Sequence, residues 1–370
     1  MKFLYLSEPD MIKCDVLNMS KCIATIEEML ELLRIGDYRM SGASNNDHGA
    51  RVKFPEQSII PNMPLSSADR WFTTMPAYLG GRFHMFGIKS YGSNHDNAQL
   101  GLPRSILMMS LLDVDTGAPL AYMSANILSA MRTGAIAGVG AKYLSSENPS
   151  CLSVIGPGVM SRYAVYAIMT VFPQIRKIKV YGRGATSLNK FKSFLENKYN
   201  NVVVSFCSDI KSVCEDADII FTGNSRSERF EDNPYISEDY LKKGCLVISS
   251  SAVRFDNDFL IDSDKCVCVA DFNKIYETGF DVDSKPTTSD ASDQVTFNIA
   301  LHNMFLNKTS IVNLPDVIKD VKFRRDPKKV YIYGAYGMPV EDVAWGFECY
   351  QNAIKKEIGT NLLLWEESEL

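Results

Sequence analysis

The stretch from Cys151 to about Asp271 constrains the fold most. Apolar runs of strand character (Leu152–Ile155, Lys177–Tyr181, Val202–Phe206, Ile219–Thr222, Leu246–Ser249 and Val267–Ala270) alternate there with helical patterns over about Met160–Val171 and Leu188–Tyr199. Strands alternating with helices build parallel β-α-β units, so the region predicts a doubly wound sheet and an α/β fold class. The flanks read differently. A strand at Phe3–Leu6 and a helix over Ser20–Ile35 precede a polar loop at 41–49. Short runs follow at Trp71–Met75, Phe83–Lys89, Ile106–Val114 and Leu120–Met123, punctuated by Gly80-Gly81 and Asp115-Thr116-Gly117, and predict a mixed or antiparallel sheet. A small-residue helix over Ala130–Tyr143 leads into the alternating region. Beyond it, the acidic stretch Asp281–Asp293 reads as a solvated loop. A last strand-like run from Val330 turns through Gly334–Gly337 into a helix reaching Lys356, with Pro339 and Glu341 suited to its first turn.

Composition narrows the partners. A chain of 370 residues with 46% apolar and 22% charged residues has the material for about two packed domains and is not a disordered polymer. Its formal charge of -5 argues against nucleic acid, which selects basic faces, and points to a small-molecule partner. No apolar run reaches the length that crosses a bilayer, and no secretory signal opens the chain, so no membrane partner is expected. The nine cysteines are scattered among apolar segments, which suits reduced thiols and a cytoplasmic location. Without a Cys-x-x-Cys, and with His48, His84, His95 and His302 lacking ligand spacing, no metal is expected.

The sharpest local motif is Val154-Ile-Gly-Pro-Gly-Val-Met-Ser161, where a strand ends and a helix opens. Gly156 and Gly158 permit a tight turn and close backbone approach to a pyrophosphate, which the helix start at Val159 and Met160 stabilises. Ser161 stands where the third small residue of the pattern belongs. The next strand ends in Tyr181-Gly-Arg183, with Gly182 in the place of the acid that binds the ribose hydroxyls of NAD. Arg183, helped by Thr186 and Ser187, suits a 2′-phosphate, so NADP is favoured over NAD. Thr222, Asn224, Ser249, Ser250 and Ser251 follow later strands at the edge where dinucleotides sit.

These features resemble the ornithine cyclodeaminase/mu-crystallin family over nearly the whole chain. The resemblance rests on Met75-Pro-Ala77, Gly87-Ile-Lys89, Gly101-Leu-Pro103, Asp115–Ala121, Met131-Arg-Thr-Gly-Ala135, the Gly156-x-Gly158 turn, Gly337-Met-Pro-Val-Glu-Asp342 and Ile358-Gly-Thr360. It implies a Rossmann domain inserted in a discontinuous α+β substrate and dimerisation domain, here divided as 1–131, 132–322 and 323–370, and a homodimer. By position it implies that Arg51 binds the substrate carboxylate, with Lys53 as its rival. Lys89 contacts the substrate and shuttles a proton. Arg132 lies near the dinucleotide or braces the carboxylate, and Tyr336-Gly337 lies near the nicotinamide. His95, in the polar segment after Lys89, is a second candidate proton donor.

One departure matters. Ornithine cyclodeaminases carry an acid/base Asp where this chain, counted from Asp258, has Ala252, and alanine transfers no proton. Asp256 is the nearest acid to stand in. The resemblance is closer to the opine-type amino-acid dehydrogenase of diaminopropionate biosynthesis and to imine reductases. It therefore implies an NAD(P)-dependent oxidoreductase acting on the C–N bond of an amino, opine or imino acid. A cyclodeaminase-type ammonia lyase and a non-catalytic NADPH-binding protein are the alternatives.

Overall fold

The computed structural model describes residues 1–67, 70–225, 227, 229–278, 294–320 and 323–368; the expected acidic loop Asp281–Asp293 lies outside them. The chain forms two compact units. The first comprises Met1–Asn18, Leu32–Arg132 and Met338–Leu370, and the second Met19–Glu31 and Thr133–Gly337.

The first unit is built on β1 (Lys2–Leu6), β2 (Tyr38–Met40), β3 (Ala50–Lys53), β4 (Trp71–Leu79), β5 (Met85–Ser93), β6 (Ser105–Asp113) and β7 (Pro119–Ser124), with the C-terminal strand Thr360–Leu363 along the edge of β1. All its pairs are antiparallel except β1 with β7. The expected run Trp71–Met75 stops just before Pro76, and proline breaks a ladder. The strand instead runs on to Leu79. On the side away from β5 its neighbour changes there: β3 pairs as far as Thr74 and β2 begins at Ala77, so the missing N–H at Pro76 falls in the gap.

Helix Pro339–Lys356 covers the inner face of β4, β5 and β6. Its Trp345 is fully buried and donates its indole N–H to the Val16 carbonyl at 3.2 Å. Close approach depends on glycine. A Cβ on Gly87 of β5 would lie 2.9 Å from Val343 of the helix and from Met109 of β6, and one on Gly346 would lie 3.0 Å from the Met109 sulfur.

The second unit carries β8 (Cys151–Ile155), β9 (Lys177–Tyr181), β10 (Val203–Phe206), β11 (Ile219–Thr222), β12 (Leu246–Ser249), β13 (Arg254–Asp256), β14 (Cys266–Ala270), β15 (Gln294–Thr296), β16 (Val312–Asn313) and β17 (Val330–Gly334). Its main sheet has the order β10-β9-β8-β11-β12-β17-β14-β16, and every pair in it is parallel. The order reverses between β8 and β11. That is the topological switch point at which doubly wound sheets bind ligands.

The contacts place the second boundary at Gly337 rather than 322, because β17 lies inside the parallel sheet, between β12 and β14. Val330-Tyr-Ile-Tyr-Gly334 is buried at every position, as a strand covered on both faces must be. The first part of helix Met19–Ile35 also belongs to the second unit. No helix among the described residues is long and apolar enough to cross a membrane.

Candidate functional site

In the second unit the glycine turn has the geometry a dinucleotide requires. Gly156 has φ 85°, a left-handed conformation, and a Cβ there would lie 2.4 Å from the Asn224 Cα. The loops after β8 and β11 are therefore in backbone contact at the switch point, and only glycine fits. A Cβ on Gly158 would meet nothing closer than the Gly223 carbonyl at 3.8 Å, so the space above the turn is open to a phosphate. Helix Val159–Val171 starts there with no side-chain cap and no acid in its first turn. Its N–H groups thus remain available to an anion. Ser161 is fully buried and donates its hydroxyl to the Gly156 carbonyl, fastening the turn; the same hydroxyl is 2.5 Å from where a Cβ on Gly223 would stand.

At the end of β9, a Cβ on Gly182 would lie 2.5 Å from the Pro157 ring. The turn itself fills the place of the ribose-binding acid. Arg183 beside it is exposed, as are Thr186 and Ser187 in the first turn of helix Ala185–Lys198.

The polar residues at the sheet edge brace one another. The Ser251 hydroxyl donates to Asn224 Oδ1 at 2.7 Å, and the Asn224 amide donates to the Ala252 carbonyl at 3.1 Å. The Ser249 hydroxyl bonds the Ser251 carbonyl at 3.1 Å, the Ser250 hydroxyl bonds the Ala335 carbonyl at 2.7 Å, and Thr222 is fully buried 3.2 Å from the Ser251 hydroxyl. The turn at Tyr336-Gly337 is held by a residue that sequence reasoning missed. Asp271, fully buried at the end of β14, accepts the N–H groups of Tyr336 at 3.0 Å and Gly337 at 3.3 Å. Burial pushes its carboxyl up to about 6, against these N–H bonds and that of Phe272, which favour the anion.

In the first unit the antiparallel register gathers charge on the inner face. Arg51 of β3 lies opposite Thr73 of β4, which lies opposite Tyr91 of β5; one row along, Met75, Lys89 and Met109 lie opposite one another. Arg51 and Lys89 therefore share a face two strands and one row apart, about 12 Å between their backbones. Arg51 is half-buried with its guanidinium stacked 4.9 Å above the Trp71 ring, whereas Lys53 is exposed.

Lys89 is 2% exposed. Its Nζ donates to Asp342 Oδ2 at 2.7 Å and to Ser129 Oγ at 3.2 Å. Arg132 donates from Nε to Asp342 Oδ1 at 3.0 Å, from Nη1 to Glu341 Oε2 at 3.0 Å and from Nη2 to Ser129 Oγ at 3.4 Å. Glu341 also accepts the Met338 N–H at 2.9 Å, fixing the helix start that presents both acids.

The buried cluster balances two cations with two anions. Burial and the Arg132 charge pull the Lys89 ammonium down from 10.5 to about 8, with Asp342 resisting; Arg132 is itself raised, because Asp342 and Glu341 outweigh its burial. Asp342 and Glu341 were visible in the sequence only as part of a family string and a helix start. The signal that would have found them is the need of two buried cations for anions.

The other candidates have surroundings of their own. His95 is exposed at the start of a 3₁₀ turn, His95–Leu100, and takes no part in the bonds holding Lys89. Asp256 of β13 accepts the Tyr235 hydroxyl at 2.6 Å, and Asp258 is exposed. No group of His, Cys, Asp and Glu among the described residues is placed to hold a metal ion.

Comparison with known proteins adds the lineage. The profile of the ornithine cyclodeaminase/mu-crystallin family matches residues 16–357. The chain belongs to that family. Within it, the chain is 26% identical over 301 residues to the N-((2S)-2-amino-2-carboxyethyl)-L-glutamate dehydrogenase of Staphylococcus aureus, covering 80% of this chain and 83% of that one. Two solved structures share the family fold. One is Delta(1)-pyrroline-2-carboxylate reductase of Thermococcus litoralis in complex with NADH and L-proline, with a TM-score of 0.75 at 20% identity, covering 97% of this chain and 100% of that one. The other is an archaeal alanine dehydrogenase dimer with bound NAD, with a TM-score of 0.75 at 22% identity, covering 99% and 100%.

Proposed function

We propose that the chain is an NADPH-dependent oxidoreductase that reduces the C=N bond of a 2-imino acid, or runs the reverse dehydrogenation of the 2-amino acid. The observation that carries this is the buried, hydrogen-bonded Lys89 ammonium, poised near neutral pH on the same sheet face as Arg51. Relatives that are amino-acid dehydrogenases and imine reductases support it.

Gly156, Gly158 and the N–H groups at Val159 and Met160 would hold the pyrophosphate, and Arg183, with Thr186 and Ser187, the 2′-phosphate. Tyr336-Gly337, braced by Asp271, would line the nicotinamide end with Thr222 and Asn224; Ser249 and Ser250 support the backbone there. When bound, the reduced nicotinamide supplies the hydride to the imine carbon. Arg51 presents a planar fork to the substrate carboxylate. Lys89 gives a proton from Nζ to the substrate nitrogen, and Asp342 holds that Nζ in place. Arg132 acts as a positioning residue through Asp342 rather than as a direct dinucleotide contact. A cyclodeaminase reaction lacks its acid/base, since Ala252 has no carboxyl and Asp256 is bonded to Tyr235.

A second copy of the chain would cover the outer face of the first unit's sheet. There Val52, Phe72, Gly92 and Ile106 form one cross-strand row, with Val52, Phe72 and Ile106 exposed at 61%, 57% and 45%. The absence of disulfides among the described cysteines suits a reducing, cytoplasmic setting.

The test is to identify the dinucleotide that copurifies, then to follow nicotinamide absorbance and ammonia with imino acids, opines and ornithine. Stoichiometric oxidation of NADPH with an imino acid is expected. Ammonia and proline from ornithine with no net change in cofactor would overturn the proposal.

A further inference from the structure

Asp271 is a fully buried carboxylate that forms no ion pair among the described residues. Backbone alone holds it: Oδ1 accepts the Phe272 N–H at 2.8 Å, and Oδ2 accepts those of Tyr336 and Gly337 at 3.0 and 3.3 Å. Buried charges are normally paired with opposite ones. This cradle of N–H groups favours the anion nonetheless, since a proton on either oxygen competes with a donor already there. The other groups around it bring no compensating charge. Tyr276, in the 3₁₀ turn Asn273–Thr278, and Tyr336 are both pushed up by burial and stay neutral, and the Tyr333 hydroxyl bonds the Ile136 carbonyl. Lys274 and Glu277 of that turn and Asp316 beyond β16 are exposed. His302, on helix Phe297–Leu306, lies 3.1 Å from the Tyr276 carbonyl.

The sheet order says what would lie near this charge. The Gly156-Pro-Gly158 turn follows β8, and the position that reads the adenosine ribose follows β9. The adenosine half of a dinucleotide therefore belongs over β8, β9 and β10, and the nicotinamide half over β11, β12 and β17. Asp271 follows β14, which pairs with β17, and its own N–H donates to the Gly334 carbonyl at 3.1 Å, so it stands level with the end of β17. Two strand spacings separate β14 from β12, about 10 Å. Loss of hydride turns the neutral dihydronicotinamide ring into a cation. A buried anion at that edge acts on the two forms unequally.

We infer that the Asp271 carboxylate discriminates between the two oxidation states of the dinucleotide, its charge favouring the cationic nicotinamide over the neutral one. The inference rests on the proposed cofactor and adds how the chain biases its oxidation state. The bias that tightens the oxidised form also makes the bound reduced form a stronger hydride donor, because the product of that step is the form the anion favours. Asp271 acts across the Tyr336-Gly337 turn and is a positioning residue.

The experiment measures Kd for NADP⁺ and for NADPH by calorimetry, without substrate, between pH 7 and 5, where Lys89, at about 8, stays protonated. The 2′-phosphate titrates in the same range, but both forms carry it and it cancels in their ratio. In the wild type, Kd for NADP⁺ divided by Kd for NADPH should rise about fivefold from pH 7 to 5, as Asp271, at about 6, takes up a proton. In Asp271→Asn the ratio at pH 7 should be roughly 5- to 15-fold above that of the wild type and should no longer change with pH. A flat wild-type ratio would overturn the inference. So would an Asp271→Asn protein that loses affinity for both forms equally, since a mere brace for the turn does not distinguish charge. A pH dependence lost in His302→Gln and kept in Asp271→Asn would assign the effect to the histidine and overturn it too. If Asp271→Asn does not fold, the wild-type and His302→Gln titrations decide. If the protein binds neither form of NADP or NAD, the proposed cofactor itself falls, an outcome distinct from tight binding with a flat ratio.

Discussion

In the second unit the residues expected to meet the dinucleotide work mostly through backbone: Gly156 by its left-handed turn, Gly158 by the side chain it lacks, Val159 and Met160 by N–H groups. In the first unit everything depends on side chains brought from far apart in sequence, with Lys89 from a strand, Arg132 and Ser129 from one helix, and Glu341 and Asp342 from another. The difference teaches what each can tolerate. A backbone cradle is damaged by added volume, whereas an ion-pair cluster is damaged by lost charge.

The largest effect should come from removing the charge proposed to do the chemistry. Lys89→Ala should lower kcat/KM about 10²- to 10⁴-fold with dinucleotide affinity unchanged, read by steady-state kinetics beside cofactor titration. Equal loss of cofactor binding would erase the distinction between the ion-pair cluster and the glycine cradle. The pH profile sharpens the same point. In the proposed role protonated Lys89 serves reduction, so kcat/KM for the imine should fall as pH rises through about 8, and the dehydrogenation should rise over that range. A reductive rate flat to pH 10 would exclude Lys89 as the donor.

Asp342→Asn tests how far the cluster acts as a unit. It leaves Lys89 and Arg132 buried with only Glu341 to offset them, so about 3 kcal/mol or more of stability should be lost in denaturant melts. With the attraction of Asp342 gone, the Lys89 ammonium is pulled further down, and the falling limb of the reductive profile should move below pH 8. That shift separates a positioning role from a merely structural one, which would change the melt and leave the limb in place.

Gly156→Ala is the counterpart in the cradle. The new methyl meets the Asn224 backbone, and its φ of 85° is strained for alanine. Dinucleotide affinity should fall at least about tenfold while the Lys89 limb stays near pH 8.

The same contrast explains what the sequence disclosed. A cradle made by neighbouring residues is local, so strand, Gly-x-Gly turn and helix start were readable in order, and the parallel sheet followed from alternation. Lys89 and Arg51 were readable as charges of the right kind. Their partners were not. Asp342 lies 253 residues from Lys89, and nothing local says that a carboxylate in a helix's first turn is a lysine's counterion rather than a partner for the helix dipole. Asp271 escaped for the same reason, since it serves a turn 65 residues away. The boundary at 322 missed because β17, buried on both faces, enters the parallel sheet out of sequence order, and only pairing reveals that.

Arg183 carries the smallest effect and the finest distinction. The Gly182 position cannot take the acid that selects NAD while Pro157 stands 2.5 Å from its would-be Cβ, so the proposed preference for NADPH rests on what Arg183 adds rather than on what an acid repels. An exposed arginine on a phosphate is worth little more than one charge-assisted hydrogen bond. Arg183→Ala should therefore raise the KM for NADPH about tenfold and leave the KM for NADH within twofold. An equal change for both cofactors would make Arg183 a contact to the shared part of the dinucleotide. No change for either would leave the glycine turn alone to set the cofactor, and the cradle would then be a backbone device throughout.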